Sequence, residues 1–202
     1  HNGPRSSQTG VVVQRMDSLM GVLRKKIATL PFAGDVNLIV TSDHGMTDIS
    51  AERVVNINDY LKPEWCEVVD GRTPTSIFSK PEYRDSIYNT LKKAAHIKVW
   101  EKEEIPAELH YGSSDRIGDI VVAPELGWQF TDVARDTKGA HGYFPQSPDM
   151  QVMFRAIGPD FKTGYTAKGF VNVDIYPLLS YLLQIVPEKT DGQFERIRDI
   201  LR

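Results

Sequence analysis

The sequence predicts an α/β protein on three observations: a long stretch with helical apolar spacing, an apolar strand run directly after it, and a second such run about a hundred residues on. In Thr9–Leu30 the apolar residues Val12, Val13, Met16, Leu19, Met20, Leu23, Ile27 and Leu30 recur at the spacing of one helix face. Arg24, Lys25 and Lys26 near its carboxyl end form a solvated face that complements the helix dipole. Pro31 ends the helix and Gly34 starts a turn. From Val36 the run VNLIVTSDHGM reads as a buried strand that opens into a loop. Met150–Ile157 reads as the second strand. A helix passing straight into a strand is one step of an α/β sheet.

The loop after the first strand presents Asp43 and His44 side by side before Gly45. In open α/β sheets ligands bind at the carboxyl ends of strands. A carboxylate oxygen beside an imidazole nitrogen is a donor pair that zinc accepts. The residues alone equally allow an Asp that caps the next turn and a His satisfied by hydrogen bonds. A second histidine, His141, lies between Ala140 and Gly142 in a loop that leads to the second strand. Small neighbours let the backbone approach an ion closely. Two such loops, each adjoining a strand of one α/β domain, suggest that His44 and His141 converge on one site.

Composition narrows the class without naming a reaction. The 202 residues are 41% hydrophobic and 25% charged, ordinary usage for a chain that buries a core and less than two domains' worth. A net charge of −3 gives no reason to expect a nucleic-acid polymer or an anionic membrane as partner. Cys66 is the single cysteine, so no disulfide closes within the chain; it reads as a small buried apolar residue or an exposed thiol. No stretch approaches the roughly twenty apolar residues of a membrane span. Between the two loops, Ser76–Ser79, a helix around Pro81–Ala95 and a strand at Ile97–Trp100 form a small α/β excursion near residues 62–110. His96, read as the start of that strand, and His110 have bland readings as well as metal-binding ones. Arg116 either reaches a phosphate or pairs with Asp119, and Trp128 with Phe130 either stack on a base or pack as core.

Taken together, SDHGM, the later HGY and the following MQVMFRAIGPDFKTG resemble the nucleotide pyrophosphatase/phosphodiesterase (type I phosphodiesterase) family of the alkaline phosphatase superfamily. Leu109–Trp128 and Phe170–Gly192 look like the family's segment between the metal loops and its closing strand and helix. The tetrapeptide SDHG is shared with other superfamily members; the HGY loop joined to GPDFKTG is what makes the resemblance specific. It implies a three-layer α/β/α alkaline-phosphatase-like fold in which residues 1–202 are the carboxyl-terminal part of one catalytic domain. It also implies two zinc ions, with Asp43 and His44 on one and His141 on the other.

What the resemblance implies about function is hydrolysis of phosphodiester or pyrophosphate bonds in nucleotides by attack of a threonine on phosphorus. That threonine is expected upstream, in an amino-terminal half of the same protein, and Thr41, Thr47 and Thr137 do not stand in its motif. His1 falls where the family has a metal-binding histidine before a Gly-Pro pair, but with one residue fewer before Gly3. Either His1 is a ligand in a shortened motif, or the ligand precedes it and His1 is a bystander. A choline-phosphodiester or lysophospholipid hydrolase, a phosphomonoesterase or sulfatase, and a non-catalytic homologue are the alternatives. Family members generally work outside the cytoplasm, so an extracytoplasmic location is expected.

Overall fold

A computed structural model describes residues 2–130 and 137–202. In chain order its main elements are α1 (Ser7–Ala28), β1 (Leu38–Thr41), β2 (Thr47–Asp48), β3 (Val54–Val55), β4 (Cys66–Gly71), β5 (Thr75–Ser79), α2 (Arg84–Leu91), β6 (Ile97–Glu101), β7 (Ile120–Pro124), β8 (Gln129–Phe130), β9 (Gly139–Ala140), β10 (Phe154–Ile157) and α3 (Ile175–Leu182). Contacts divide the chain into two compact units, one of His1–Met16 with Asp43–Val152 and one of Asp17–Ser42 with Met153–Arg202.

The first unit is built on a four-stranded antiparallel sheet of order β4-β5-β7-β6. Strand β7, Ile-Val-Val-Ala-Pro, is buried at every position because it has a strand on each side and is covered on both faces. Strand β5 instead alternates, with Thr75, Ile77 and Ser79 buried and Ser76 and Phe78 half-buried. Helix α2 lays Ile87 and Leu91 on this sheet, where they join Ile77, Val99, Ile120 and Val122 in one core. The expected helix of Pro81–Ala95 is shorter: Pro81–Tyr83 form a 3-10 turn before it, and the chain reverses at His96, whose φ of +63° is left-handed. His96 is therefore the pivot before β6 and not the first residue of a strand; its ring stacks on Trp128 at 3.6 Å and meets Glu125 at 3.0 Å. Asp119 is held by the amide and hydroxyl of Ser79, at 2.9 and 2.8 Å, in place of the expected pairing with Arg116. Two short ladders, β2 with β9 and β3 with β8, complete the unit.

In the second unit β1 and β10 pair antiparallel, Leu38 opposite Ile157 and Thr41 opposite Phe154. Strand β1 starts two residues later than the apolar run suggests: the Val36 amide closes the 3-10 turn of Ala33–Asp35 by donating to the Ala33 carbonyl, and Asn37 Oδ1 accepts from the Asp160 amide. Likewise Pro148–Met150 form a 3-10 turn, so the ladder of β10 begins only at Phe154. The core gathers Phe161, Leu178, Ile197, Ile200 and Leu201, with Ile39, Phe154 and Phe170 against it. The closing segment supplies its helix, α3, but no strand among the described residues: Asn172–Asp174 are a 3-10 turn, and Phe170 packs edge-on against Phe154 at 5.1 Å. Asp174 is wholly buried, and its Oδ1 accepts from the Gln193 amide at 2.8 Å and faces Arg196 at 3.4 Å.

Helix α1 forms as its spacing predicts, but none of its residues is buried; Val12, Met16 and Leu19 are each half or more exposed. No helix among the described residues is long and apolar enough to cross a membrane.

Candidate active site

Residues 43–48 and 138–150 meet through the β2–β9 ladder, in which Thr47 lies opposite Ala140 and Asp48 opposite Gly139. Around it the Ile49 amide donates to the Lys138 carbonyl at 3.1 Å, the Gly45 amide to the Met150 carbonyl at 3.1 Å, and the Thr47 hydroxyl to Asp149 Oδ2 at 2.6 Å. Arg5 lies 3.6 Å from Asp48 and 3.9 Å from Asp149. Gly45 is required here: a Cβ on it would stand 2.0 Å from the Asp149 carbonyl oxygen.

This scaffold brings His44 and His141 together, their ring centroids 3.6 Å apart and their planes within 15°. Asp43, its side chain 83% exposed, accepts from the His44 amide at 3.0 Å through Oδ1 and places Oδ2 at 3.4 Å from His44 Nε2. His44 Nδ1 lies 2.9 Å from the Gly45 carbonyl oxygen. A ring nitrogen donating to a carbonyl leaves the other as the metal-facing one, the usual arrangement of a ligating histidine. Two ligands on one tetrahedral zinc at 2.0–2.1 Å stand about 3.3 Å apart. The Oδ2–Nε2 separation thus fits a shared ion, and the residues suit the group the resemblance implies. Asp43, His44 and His141 supply donors for no more than part of two coordination shells, since no cluster of three or more His, Cys, Asp or Glu donors occurs among the described residues. His1 lies outside them.

The residue after His141 fixes its position. Gly142 has a φ of +94°, and a Cβ there would meet the Thr73 carbonyl oxygen at 2.2 Å, so the loop closes against the β4–β5 turn with room for glycine only. Tyr143 is buried and donates its hydroxyl to the Trp128 carbonyl at 2.7 Å; burial pushes its phenol up to about 12. The tyrosine of HGY is thus a protonated anchor for the loop. Its role, and those of Asp149 and Thr47, have no signal in the sequence beyond proximity to one of the two histidines, and Arg5, far from both in the sequence, has none. Thr41 donates to the Met153 carbonyl at 3.0 Å and Thr47 to Asp149, so both hydroxyls are structural. His110 takes a left-handed turn conformation after Leu109, with φ of +48°. Beside His141 a cleft of about 980 Å³ is lined by the β4–β5 turn, Asn58 and Phe130.

Solved structures define the class of fold. Human ectonucleotide pyrophosphatase/phosphodiesterase 5 superposes with a TM-score of 0.93 at 31% identity over 100% of this chain and 55% of that one. The murine counterpart, an inactive form in complex with AMP, gives 0.92 at 34% identity with the same coverage. The chain therefore has the alkaline-phosphatase-like α/β fold that the resemblance implied. Residues 1–144 match the type I phosphodiesterase / nucleotide pyrophosphatase family. Among curated relatives, human ectonucleotide pyrophosphatase/phosphodiesterase family member 5 is 32% identical over 100% of this chain and 43% of its own length. Bovine bis(5'-adenosyl)-triphosphatase ENPP4 is 34% identical over 94% of this chain and 42% of its own. The chain belongs to the type I phosphodiesterase / nucleotide pyrophosphatase family, and it spans under half the length of these curated relatives.

Proposed function

We propose that this chain contributes the carboxyl-terminal part of the catalytic domain of a zinc-dependent phosphodiesterase that cleaves phosphodiester or pyrophosphate bonds in nucleotides. The observation that carries the reading is the junction of the SDHG and HGY loops, which stacks His44 on His141 beside the Asp43 carboxylate. Asp43 and His44 would hold one zinc and His141 the other. Two bound zinc ions would neutralise charge on the phosphoryl oxygens of an in-line displacement. Asp43 and His44 keep their oxygen and nitrogen at ligand-to-ligand spacing, the Gly45 carbonyl orients the His44 ring, and Gly142 with Tyr143 holds His141 in place. The nucleophile is a threonine carried by the part of the protein that relatives have beyond the length matched here. The names of those relatives, ectonucleotide hydrolases, and an AMP complex of one of them support a nucleotide substrate and a location outside the cytoplasm.

The full-length protein tests this with two substrates. The reading expects a nitrophenyl ester of a nucleoside monophosphate to be hydrolysed with higher kcat/KM than nitrophenyl phosphate, because a monoesterase must stabilise an extra phosphate charge. Within the two histidine loops, residues 139–149 and 42–50 carry no Lys or Arg for that purpose, and Arg5 beside them faces Asp48 and Asp149. A monoester or sulfate ester preferred by about tenfold, or 1.4 kcal/mol, overturns the diesterase reading.

A further inference from the structure

The cleft beside His141 belongs entirely to the first unit, and its chemistry differs from that of the histidine pair. The β4–β5 hairpin turns through Arg72, Thr73 and Pro74, with Gly71 paired opposite Thr75 and the Thr75 hydroxyl donating to the Arg72 carbonyl at 3.2 Å. Because the Thr73 carbonyl packs against Gly142, the tip of this hairpin is pinned to the residue following His141. Arg72, exposed, lines the same cleft as His141. Among the described residues its guanidinium has no ion-pair partner. Val69, about half exposed, and Phe130 supply apolar wall, while the Asp70 carboxylate and Asn58 side chain supply hydrogen-bonding groups. A volume of about 980 Å³ is at the upper end for small-molecule sites, ample for a nucleoside with phosphate.

We infer that this cleft binds a phosphate-bearing nucleoside as the leaving side of the substrate, with Arg72 on its phosphate, Asp70 accepting from its sugar hydroxyls and Phe130 with Val69 against its base. The guanidinium fork matches phosphate oxygens two at a time, an ionised carboxylate only accepts and so suits hydroxyl donors, and an aromatic wall suits a planar ring. Asp70 beside Arg72 disfavours a bare polyphosphate and favours a phosphate carried on a sugar, by like-charge repulsion. Such a site makes the protein a selector of substrates whose two esterified groups are both nucleotides. The inference rests on the phosphodiesterase reading above.

The experiment compares wild type and Arg72→Ala of the full-length protein on diadenosine triphosphate and on a nitrophenyl ester of a nucleoside monophosphate, whose leaving group lacks phosphate. The expected result is a fall of about tenfold in the ratio of kcat/KM values, dinucleotide over nitrophenyl ester, carried by KM for the dinucleotide. Arg72→Lys should recover part of the ratio, since a point charge remains without the fork. An unchanged ratio overturns the inference. If wild type cleaves neither substrate, the phosphodiesterase reading fails, and the cleft is decided by binding. ADP titrated into isotope-labelled, metal-free protein should then shift the amide resonances of Asn58, residues 70–75 and Phe130, saturating at low-millimolar concentration, about 4 kcal/mol of binding. Absence of those shifts, or their persistence in Arg72→Ala, overturns it.

Discussion

Gly45→Ala is the substitution that most directly couples the packing of the candidate site to its chemistry. A Cβ at this position would stand 2.0 Å from the Asp149 carbonyl oxygen and 2.7 Å from the Met150 Cα, all backbone, so no side chain can swing aside. Reaching ordinary contact at 3.4 Å means opening the two loops by about 1.4 Å, which breaks the Gly45–Met150 hydrogen bond. An amide left without its partner costs about 1–3 kcal/mol. Forcing extra volume into a packed place costs about as much again. The sum, about 2–6 kcal/mol, should appear as a lower urea midpoint with unchanged slope. Gly21 offers the opposite case. It lies in α1 with nothing within 4 Å, so Gly21→Ala should stabilise by about 0.5–1 kcal/mol through helix propensity. Because His44 precedes Gly45, the same displacement moves its ring off His141. A shift near 1 Å in a catalytic group lowers rate by about a hundredfold. Stability within about 0.5 kcal/mol of wild type together with activity within twofold would refute the reasoning, since surface-like substitutions behave that way.

Three further outcomes follow from other parts of the structure. Tyr143, raised to about 12 by burial, favours the protonated phenol in the folded state; its contribution is full below pH 10, the ordinary value, and is lost as pH rises through 12. That loss is at most about 3 kcal/mol, and urea midpoints measured from pH 9 to 12 should fall more steeply for wild type than for Tyr143→Phe; equal slopes would contradict it. Asp174→Ala strands the Gln193 amide in the second core and should cost about 1–3 kcal/mol by thermal or urea unfolding, and a neutral effect would mean that the bond is not formed. His44→Ala should remove about one zinc equivalent from the full-length protein by elemental analysis, since a lost ligand weakens its site by ten- to a hundredfold or more.

The convergence of the two histidines was legible in the sequence because each stands beside a strand and glycine, local signals of a loop at a sheet edge. The arrangement around them was not. Thr47 and Asp149 are a hundred residues apart, and the hydroxyl-to-carboxylate bond between them has no local signature. Gly142 reads as a small residue in a loop, while the requirement for glycine comes from the Thr73 carbonyl, far away in sequence. The ladders begin later than the apolar runs where the chain leaves a 3-10 turn, after Ala33–Asp35 and Pro148–Met150, because periodicity records side-chain burial and not which amides are paired. His96 misled in the same way: a left-handed pivot and a strand start both place a residue before an apolar run. The apolar stripe on α1 specifies the helix, yet its exposure depends on what lies against it, which spacing does not encode.

Asp43 and His44 are proposed to hold one zinc and His141 a second. Diffraction from zinc-loaded crystals of the full-length protein, recorded on both sides of the zinc absorption edge, tests it directly. Ligation as proposed gives two anomalous peaks about 3.5–4 Å apart, with an Asp43 oxygen and His44 Nε2 about 2.0–2.2 Å from one and a His141 ring nitrogen about 2.0–2.1 Å from the other. A single peak distant from these residues, or a His141 ring turned to solvent with no zinc within bonding distance, would contradict it.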